Sequence, residues 1–438
     1  MTMARVRNLP LERGSKNAWH FSGRGKSLWR RTPPRNLLAV LANCRPSLKG
    51  RVVIIVASIA LSFSAHAANY LPPPGNVWTT RTPVQEGFDA TKLKTAIDFA
   101  VAHETKLSVS LDGVIDQRDL RLTIPIQFAG PYSDPIGPLA PHAPANGIII
   151  RHGYTVAEWG DTRKVDMAHS VTKTFLSATA GIAFDKHMIR DVNDRVLDYV
   201  HPSPDFDLPH NQPITWDEML RQTSGWIGTM WGKPWWADRP GKNPWDELAA
   251  GPPPVGKEWK YSDVRVNALA LALTHLWKRP LPDVLKQYVM DPIGASHDWH
   301  WEGYDNSWIK IGSKRIHVVP GGGHWGGGMF ISARDLARMG LLGLNNGKWG
   351  DKQILSDAWI KLSKTPTGPN TGYGYMNWFL NTGRKLAPAA RDDSVIFIGN
   401  GDNIVFIDYE HDLVAVVRWI DDAQKAEFVR LLENSVNR

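Results

Sequence analysis

Cysteine is nearly absent from this chain, whose 438 residues include only Cys44. So few thiols exclude a disulfide framework and a cysteine-ligated metal, so the stability of the fold has to come from an apolar core. The sequence also lacks a Walker loop, a Gly-x-Ser-x-Gly elbow and a His-Glu-x-x-His pair. These absences argue against the phosphate-binding, α/β-hydrolase and zinc-protease chemistries that those motifs carry.

Positive charge is concentrated at the amino-terminal end. Residues 1–67 contain twelve Lys or Arg and one Glu, which gives this segment a net charge of +11. Since the whole chain has a net charge of +8, the remaining residues carry a net charge of −3. Because the excess lies outside the bulk of the chain, it does not predict a nucleic-acid partner.

The same segment has the features of an export signal. Lys49 and Arg51 precede an apolar run at 52–63, and small residues follow at 65–67, where a signal peptidase would cleave. The run is short for a bilayer span, although an uncleaved anchor remains an alternative. We therefore predict export to the periplasm, contact with the membrane only through this signal, and a mature chain without Cys44.

Strand and helix patterns divide the remainder of the chain. Apolar residues at helical spacing predict a helix at 90–103, with Asp89 as its cap, and alternation predicts a hairpin at 147–151 and 155–159. Helical signals dominate from 170 to about 342. Three strands then follow at 395–398, 404–408 and 413–419, before a final helix at 422–436. Strands at both ends with helices between them predict an antiparallel α/β domain interrupted by a mostly helical one.

Ser170 and Lys173 are the first candidate catalytic residues. They begin a segment apolar on most sides, and on a helix residues three apart share a face, so the lysine amine can reach the serine hydroxyl. A buried lysine can accept the serine proton, and a helix amino terminus favours developing negative charge. A lone Ser-x-x-Lys match is weak evidence, since Ser307 and Lys310 also fit the pattern without a buried-helix signal.

Two further positions can complete such a site. Tyr261 stands at the head of another apolar helix, where it can relay a proton from the nucleophile to the leaving group, or be a core aromatic. Gly399 ends a predicted strand, and we predict that the backbone N–H groups of Asn400 and Ser170 form an oxyanion hole. A plain turn at Gly399 is the alternative.

Together these motifs resemble the class C β-lactamase-related serine hydrolases. The resemblance rests on SVTK at 170–173, YSD at 261–263, QTSGW at 222–226 and GGGMFISARDLARMG at 326–340, and it covers roughly residues 140–435. The family includes β-lactamases, D-alanyl peptidases, carboxylesterases and 6-aminohexanoate-dimer hydrolases. It implies an α/β (α+β) fold, in which helices flank an antiparallel sheet, plus a mostly helical domain.

The predicted domain organisation follows from this resemblance. Residues 1–67 form the basic segment and signal, and residues 68–438 form the catalytic region. Within it, the α/β part comprises about 86–185 and 335–438, and the helical insert comprises about 186–334.

Two departures from the β-lactamase pattern narrow the substrate. Asp263 stands where those enzymes carry Asn, and a carboxylate cannot donate a hydrogen bond to a substrate carbonyl. It can instead hold Lys173 or bind a substrate amine. Phe397 stands where they carry the lysine of Lys-Thr-Gly, so the cation that binds a penicillin carboxylate is missing. Potent β-lactamase activity is therefore not expected.

Aromatic and glycine-rich segments suggest further substrate contacts. Twelve of the twenty Trp lie between Trp216 and Trp325, a density that fits either an aromatic cleft or core packing. His324 and Trp325 lie between two glycine triplets, and with Asp263 and Gly399 they complete the predicted substrate-binding set. A structural role for His324 is the alternative.

The sequence thus predicts a serine hydrolase that cleaves a small ester, amide or peptide through a Ser170 acyl-enzyme. Lys173 is the predicted base and Tyr261 the proton relay, and no cofactor is required. Two alternatives remain open. One is a penicillin-recognising D-alanyl carboxypeptidase or weak β-lactamase, and the other is a non-catalytic cell-wall-binding module.

Overall fold

The computed structural model describes residues 70–105, 132, 134–140, 142–237 and 244–437. The predicted export segment at 1–67, with Cys44, lies outside the described residues, so it remains a prediction. Among the described helices, none combines the length and the apolar character that crossing a bilayer requires.

Short strands and a few longer ones alternate with helices along the chain. The strands are β1 (Asn146–Arg151), β2 (Tyr154–Trp159), β3 (Asp166–Met167), β4 (Thr229–Met230), β5 (Lys233–Pro234), β6 (His300–Glu302), β7 (Trp308–Ile311), β8 (Lys314–His317), β9 (Gly328–Ile331), β10 (Lys348–Trp349), β11 (Lys352–Gln353), β12 (Phe379–Leu380), β13 (Val395–Gly399), β14 (Asn403–Asp408) and β15 (Leu413–Arg418).

The α-helices are α1 (Ala90–Ala102), α2 (Thr172–Asp185), α3 (Leu197–Val200), α4 (Trp216–Leu220), α5 (Pro244–Ala250), α6 (Asp263–Trp277), α7 (Leu281–Leu285), α8 (Ala333–Leu344), α9 (Asp357–Ser363) and α10 (Lys425–Ser435). A π-helical turn at Lys286–Met290 continues α7, and 3₁₀ turns occupy His169–Val171, Thr382–Arg384 and Asp422–Gln424.

A six-stranded antiparallel sheet is the centre of the fold, with the order β12-β13-β14-β15-β1-β2. Successive residues of a strand point to opposite sides of the sheet, and each side packs against helices. Ile149 joins the apolar cluster formed with α1 and α10, whereas Ile148 and Ile150 join the larger cluster that includes α2 and α8. This arrangement confirms the predicted fold class, an antiparallel sheet flanked by helices.

Several local predictions are confirmed. Asp89 caps α1, since its carboxylate accepts from the N–H groups of Thr91 and Lys92. β1 and β2 form the predicted hairpin, and β13, β14 and β15 lie where strands were expected.

The middle of the chain is less purely helical than predicted. It contains β4 to β9, of which β6 and β9 join β3 in a three-stranded sheet. These strands have two to four residues, too few to produce an alternating pattern in the sequence. The predicted boundaries of the helical insert, near residues 186 and 334, remain a prediction.

Two buried arginines connect parts of the chain that are distant in sequence. Arg418, at the end of β15, donates to the carbonyls of Ile331 and Met167 at 2.8 Å each, and thereby joins the large sheet to the three-stranded one. Arg338, on α8, donates to the carbonyl of Ile293 and to three carbonyls in the extended segment at 72–75.

Candidate active site

Ser170 lies in a 3₁₀ turn rather than in the first turn of the α-helix, where it was predicted. The turn spans His169–Val171 and leads directly into α2. Lys173 is the second residue of α2, and long side chains on a helix point back toward its amino terminus, so Lys173 reaches Ser170 in the preceding turn. Lys173 Nζ donates a hydrogen bond to Ser170 Oγ at 2.8 Å. The turn therefore brings the amine and the hydroxyl as close as the predicted helix would have done.

The ammonium of Lys173 is enclosed by side chains. It has no solvent exposure, forms an ion pair with Asp263, and lies 4.5 Å from the centre of the Tyr261 ring. A buried charge is costly unless it is paired, and the carboxylate of Asp263 supplies that pairing. Lys173 thus contacts a hydroxyl, a carboxylate and the face of an aromatic ring.

Asp263 is positioned by the start of α6. Ser262 caps this helix by accepting from the N–H of Arg265, so Asp263 occupies the first turn, where the helix dipole favours a carboxylate. His324 Nδ1 lies 4.0 Å from Asp263 Oδ2, and the His324 side chain is almost fully buried. The structure therefore brings Ser170, Lys173, Tyr261, Asp263 and His324 into one group.

The end of β13 lies against the turn that carries the nucleophile. A Cβ atom at Gly399 would overlap the carbonyl oxygen of Ala168 and would lie 3.3 Å from Ser170 N. Only glycine allows this approach, which places Asn400, the next residue, beside the nucleophile. The Asn400 carbonyl accepts from Asn403 Nδ2 at 2.8 Å, which fixes the turn. That the N–H groups of Asn400 and Ser170 bind an oxyanion stays a prediction.

Trp325 is placed differently from the other predicted contacts. Its side chain is buried and its indole N–H donates to the Tyr132 carbonyl at 2.8 Å, so its predicted role in substrate binding has no support from this position. Trp216 and Trp226 are also fully buried in the core. At these three positions tryptophan serves core packing, the alternative that the sequence left open.

Sequence reasoning missed several residues around the site. Gln222 is fully buried, accepts from Ser262 N at 2.6 Å and donates to Tyr373 Oη at 2.9 Å, so it fixes the head of α6. Tyr373 and Phe379 stand with Tyr261, whose ring centre is 6.3 Å from each of theirs. The sequence analysis included Gln222 only within the QTSGW segment of the family resemblance, and it predicted no role for this residue.

Gly322 is a further residue with no predicted role. A Cβ atom there would overlap Lys173 Nζ and approach Asp263 Oδ2 to 2.5 Å. The glycine-rich segment therefore makes room for the ion pair.

His169 precedes the nucleophile in a left-handed conformation, with φ of 47°. Its ring is buried, and Nε2 has no hydrogen-bond partner among the described residues. Burial, reinforced by the charge of Arg418, lowers the pKa of His169 to about 3. The imidazole is therefore neutral at physiological pH and adds no charge beside Ser170.

Comparison with known proteins identifies the family. A family model described as Beta-lactamase matches residues 148–427, more than half of the chain. The chain belongs to the β-lactamase family. The matched range contains every candidate site residue, and the resemblance inferred from the motifs is confirmed. As a member of this family, the protein is a serine hydrolase.

One solved structure supports the same fold for this β-lactamase-family protein, and two others align less well. A Bacteroides dorei protein named as a β-lactamase aligns with a TM-score of 0.50 and 14% identity, over 68% of this chain and 94% of its own. A Bacillus anthracis protein named as a 6-aminohexanoate-dimer hydrolase gives 0.48 and 16%, over 66% and 78%. EstCE1, described as a hydrolase with promiscuous acyltransferase activity, gives 0.47 and 16%, over 67% and 93%. No curated protein matches the chain.

Proposed function

We propose that the protein is an exported serine hydrolase that cleaves an ester or a linear amide through an acyl-enzyme on Ser170. The observation that carries this proposal is the hydrogen bond of 2.8 Å between Lys173 Nζ, which is fully buried, and Ser170 Oγ, which remains partly accessible. A hydroxyl held by a buried amine is the arrangement that an activated serine nucleophile requires.

The proposed reaction follows from the contacts of the site. Ser170 Oγ attacks the substrate carbonyl carbon and transfers its proton to Lys173, which must be neutral at that moment. The N–H groups of Ser170 and Asn400 stabilise the oxyanion. Tyr261, whose ring lies against Lys173, passes the proton to the leaving group as the acyl-enzyme forms. Water then attacks the acyl-enzyme, and the same groups act in reverse.

Asp263 is proposed as a positioning residue for Lys173. Its carboxylate pairs with the lysine and stands between it and His324, so it fixes the direction in which Nζ points. Replacement of Asp263 by Asn retains a hydrogen-bond acceptor of the same shape but removes the charge. We expect Asp263→Asn to alter the pH dependence of acylation without altering the affinity for a neutral ester.

Two features favour esters and linear amides over penicillins. Phe397, at the position of the missing lysine, is buried and packs edge-on against Trp378 with 5.0 Å between the ring centres. β13 therefore offers no cation at this position to a substrate carboxylate. The aromatic group of Tyr261, Tyr373 and Phe379 instead suits an uncharged acyl or leaving group.

Export and partners belong to the same proposal. Residues 1–67 are proposed to direct the chain to the periplasm and to be its only contact with a membrane, and the substrate is proposed to be a small ester, amide or peptide rather than a nucleic acid. Amino-terminal sequencing of the periplasmic protein tests this, since it should begin near residue 68.

A serine-directed probe tests the catalytic proposal. Ser170→Ala should abolish both labelling by a fluorophosphonate and hydrolysis of a nitrophenyl ester, while the circular dichroism spectrum stays unchanged. Ser177→Ala is the matched control, because Ser177 is buried on α2 and its Oγ has no hydrogen-bond partner among the described residues. It should keep full activity. Labelling that persists in Ser170→Ala would refute the proposal.

Labelled penicillin separates the competing substrates. We expect ester cleavage without detectable acylation by penicillin. Rapid acylation by penicillin would favour the carboxypeptidase or β-lactamase alternative. Binding of cell-wall fragments that is equal in the parent protein and in Ser170→Ala, with no probe labelling of either, would favour the binding module.

A further inference from the structure

Three potential metal ligands meet at the end of β14 that is remote from the active site. Asp408 is the last residue of β14, His411 lies in the turn to β15, and Glu433 lies in the last turn of α10. One ligand atom from each lies within 4.8 Å of the other two. Gly399, beside the nucleophile, pairs with Asn403 at the opposite end of β14, five residues or about 16 Å away.

The contacts within this group leave one carboxylate oxygen, Glu433 Oε1, without a hydrogen-bond partner among the described residues. His411 Nδ1 contacts Asp408 Oδ2 and lies 3.3 Å from Glu433 Oε2. The Glu433 side chain is 9% exposed, and its Oε1 is buried without a hydrogen-bond partner among the described residues. A single imidazole N–H faces two carboxylates, and a buried carboxylate oxygen without a partner is costly.

One cation lies near the group, but among the hydrogen bonds of the described residues it forms none to the group's side chains. Arg151 attracts the carboxylates of Asp408 and Glu433, whereas its guanidinium donates to the carbonyls of His411, Glu86 and Gly87. Glu410 adds a further negative charge.

We propose that Asp408, His411 and Glu433 bind a first-row divalent cation, of which Zn²⁺ is the best probe. One imidazole nitrogen and two carboxylate oxygens form a donor set that suits such ions. His411 is 24% exposed, so water can reach the site and complete the coordination.

The site would fasten the carboxy-terminal helix to the sheet. Asp408 and His411 belong to the β14–β15 hairpin, whereas Glu433 belongs to α10, so one ion bridges both elements. A ligand that binds only the folded state raises the melting temperature. Because the site is remote from Ser170, it can be tested by zinc binding and by the melting temperature. Neither measurement depends on the proposed hydrolase activity.

Zinc titration of the purified, chelator-treated protein tests the proposal. Calorimetry should show one Zn²⁺ bound per chain, and 100 µM zinc should raise the melting temperature by several degrees. His411→Ala should weaken zinc binding by about 100-fold. Loss of a residue that only hydrogen-bonds to a metal ligand already costs about 10- to 100-fold, and His411 is proposed as a ligand itself. His300→Ala is the control, because His300 is an exposed histidine near Glu302 and lies outside the proposed site. This variant should bind zinc as tightly as the parent protein does.

Other outcomes would overturn the proposal. Equal zinc affinity in the parent protein and in His411→Ala, or no shift of the melting temperature with zinc, would show that the group is not a metal site. Stabilisation by Glu433→Gln that is independent of zinc would show instead that a proton shared with Asp408 holds the group together. If His411→Ala does not fold, His411→Gln and the titration of the parent protein at two pH values give the same decision.

Discussion

Lys173 and Arg418 are both cations without solvent exposure, yet their surroundings differ in kind. Arg418 donates to the carbonyls of Ile331 and Met167 and to the side chain of Asn403, none of which titrates in the physiological range. Lys173 contacts a serine hydroxyl, a carboxylate and a phenol ring. Burial by itself therefore does not identify a catalytic residue.

The partners of a buried charge indicate what that charge does. Main-chain carbonyls and an amide oxygen accept from Arg418, which makes it a link between two sheets. Lys173 instead contacts a hydroxyl and a carboxylate, the kinds of side-chain group that take part in acid–base catalysis. Substitutions that affect chemistry and stability separately can test this distinction.

The largest effect is expected from Lys173→Met. Loss of the base should slow acylation by a fluorophosphonate by roughly 100- to 10,000-fold. Because this change removes the lysine that forms the ion pair with the buried Asp263, the double variant Lys173→Met/Asp263→Asn serves as a control for lost stability. The double variant should remain equally slow, measured as labelling rate per folded molecule. A labelling rate near that of the parent protein in either variant would contradict the assignment of Lys173.

Arg418→Met should lower the stability of the fold and leave the labelling rate nearly unchanged. It leaves two buried carbonyls without their donor and Asp166 without its nearby cation, so the free energy of unfolding should fall by about 3–5 kcal/mol. Urea denaturation measures this loss. The labelling rate per folded molecule should stay close to that of the parent protein, and a selective loss of labelling with unchanged stability would remove the contrast between the two cations.

Gly399→Ala tests the contact between β13 and the nucleophile turn. The added methyl overlaps the carbonyl of Ala168, so the strand must move and the predicted oxyanion donors must separate. We expect kcat to fall by roughly 100- to 1000-fold, the effect of removing one such donor. Gly368→Ala is the control, because no atom lies near its added methyl, and it should retain the parent kcat.

The smallest effect concerns His169 and pH. Its folded-state pKa of about 3 lies below the ordinary value of 6.5, so the unfolded chain binds a proton first as the pH falls. Stability from this residue is present above pH 6.5 and is lost progressively toward pH 3. Relative to His169→Gln, the parent protein should lose about 2 kcal/mol of unfolding free energy by about pH 5. Parallel pH profiles for the two proteins would show that His169 is not the group responsible.

Much of this site follows from local sequence. The spacing of Ser170 and Lys173 suffices because one helical turn connects them, and Gly399 is recognisable at the end of a strand. Tyr373 and Gln222 were missed because their contacts join segments 151 residues apart, which no local period encodes. Gly322 was missed because a glycine that makes room for an ion pair resembles any loop glycine until the pair is located.

The sheet was predictable for a similar reason. β13, β14 and β15 are long enough to show their apolar character, whereas β3 and β6, with two and three residues, are not. Trp325 shows the limit of composition as evidence, since a cleft and a core both attract tryptophan.

The hydrogen bonds from Arg338 to the segment at 72–75 limit how far the chain can be shortened at its amino-terminal side. A chain shortened to begin after Asn76 would leave this guanidinium with the Ile293 carbonyl as its one remaining acceptor of the four. Residues just beyond the predicted cleavage point are thus a structural part of the enzyme rather than a remnant of transport. Expression boundaries and affinity tags should therefore be placed before Tyr70.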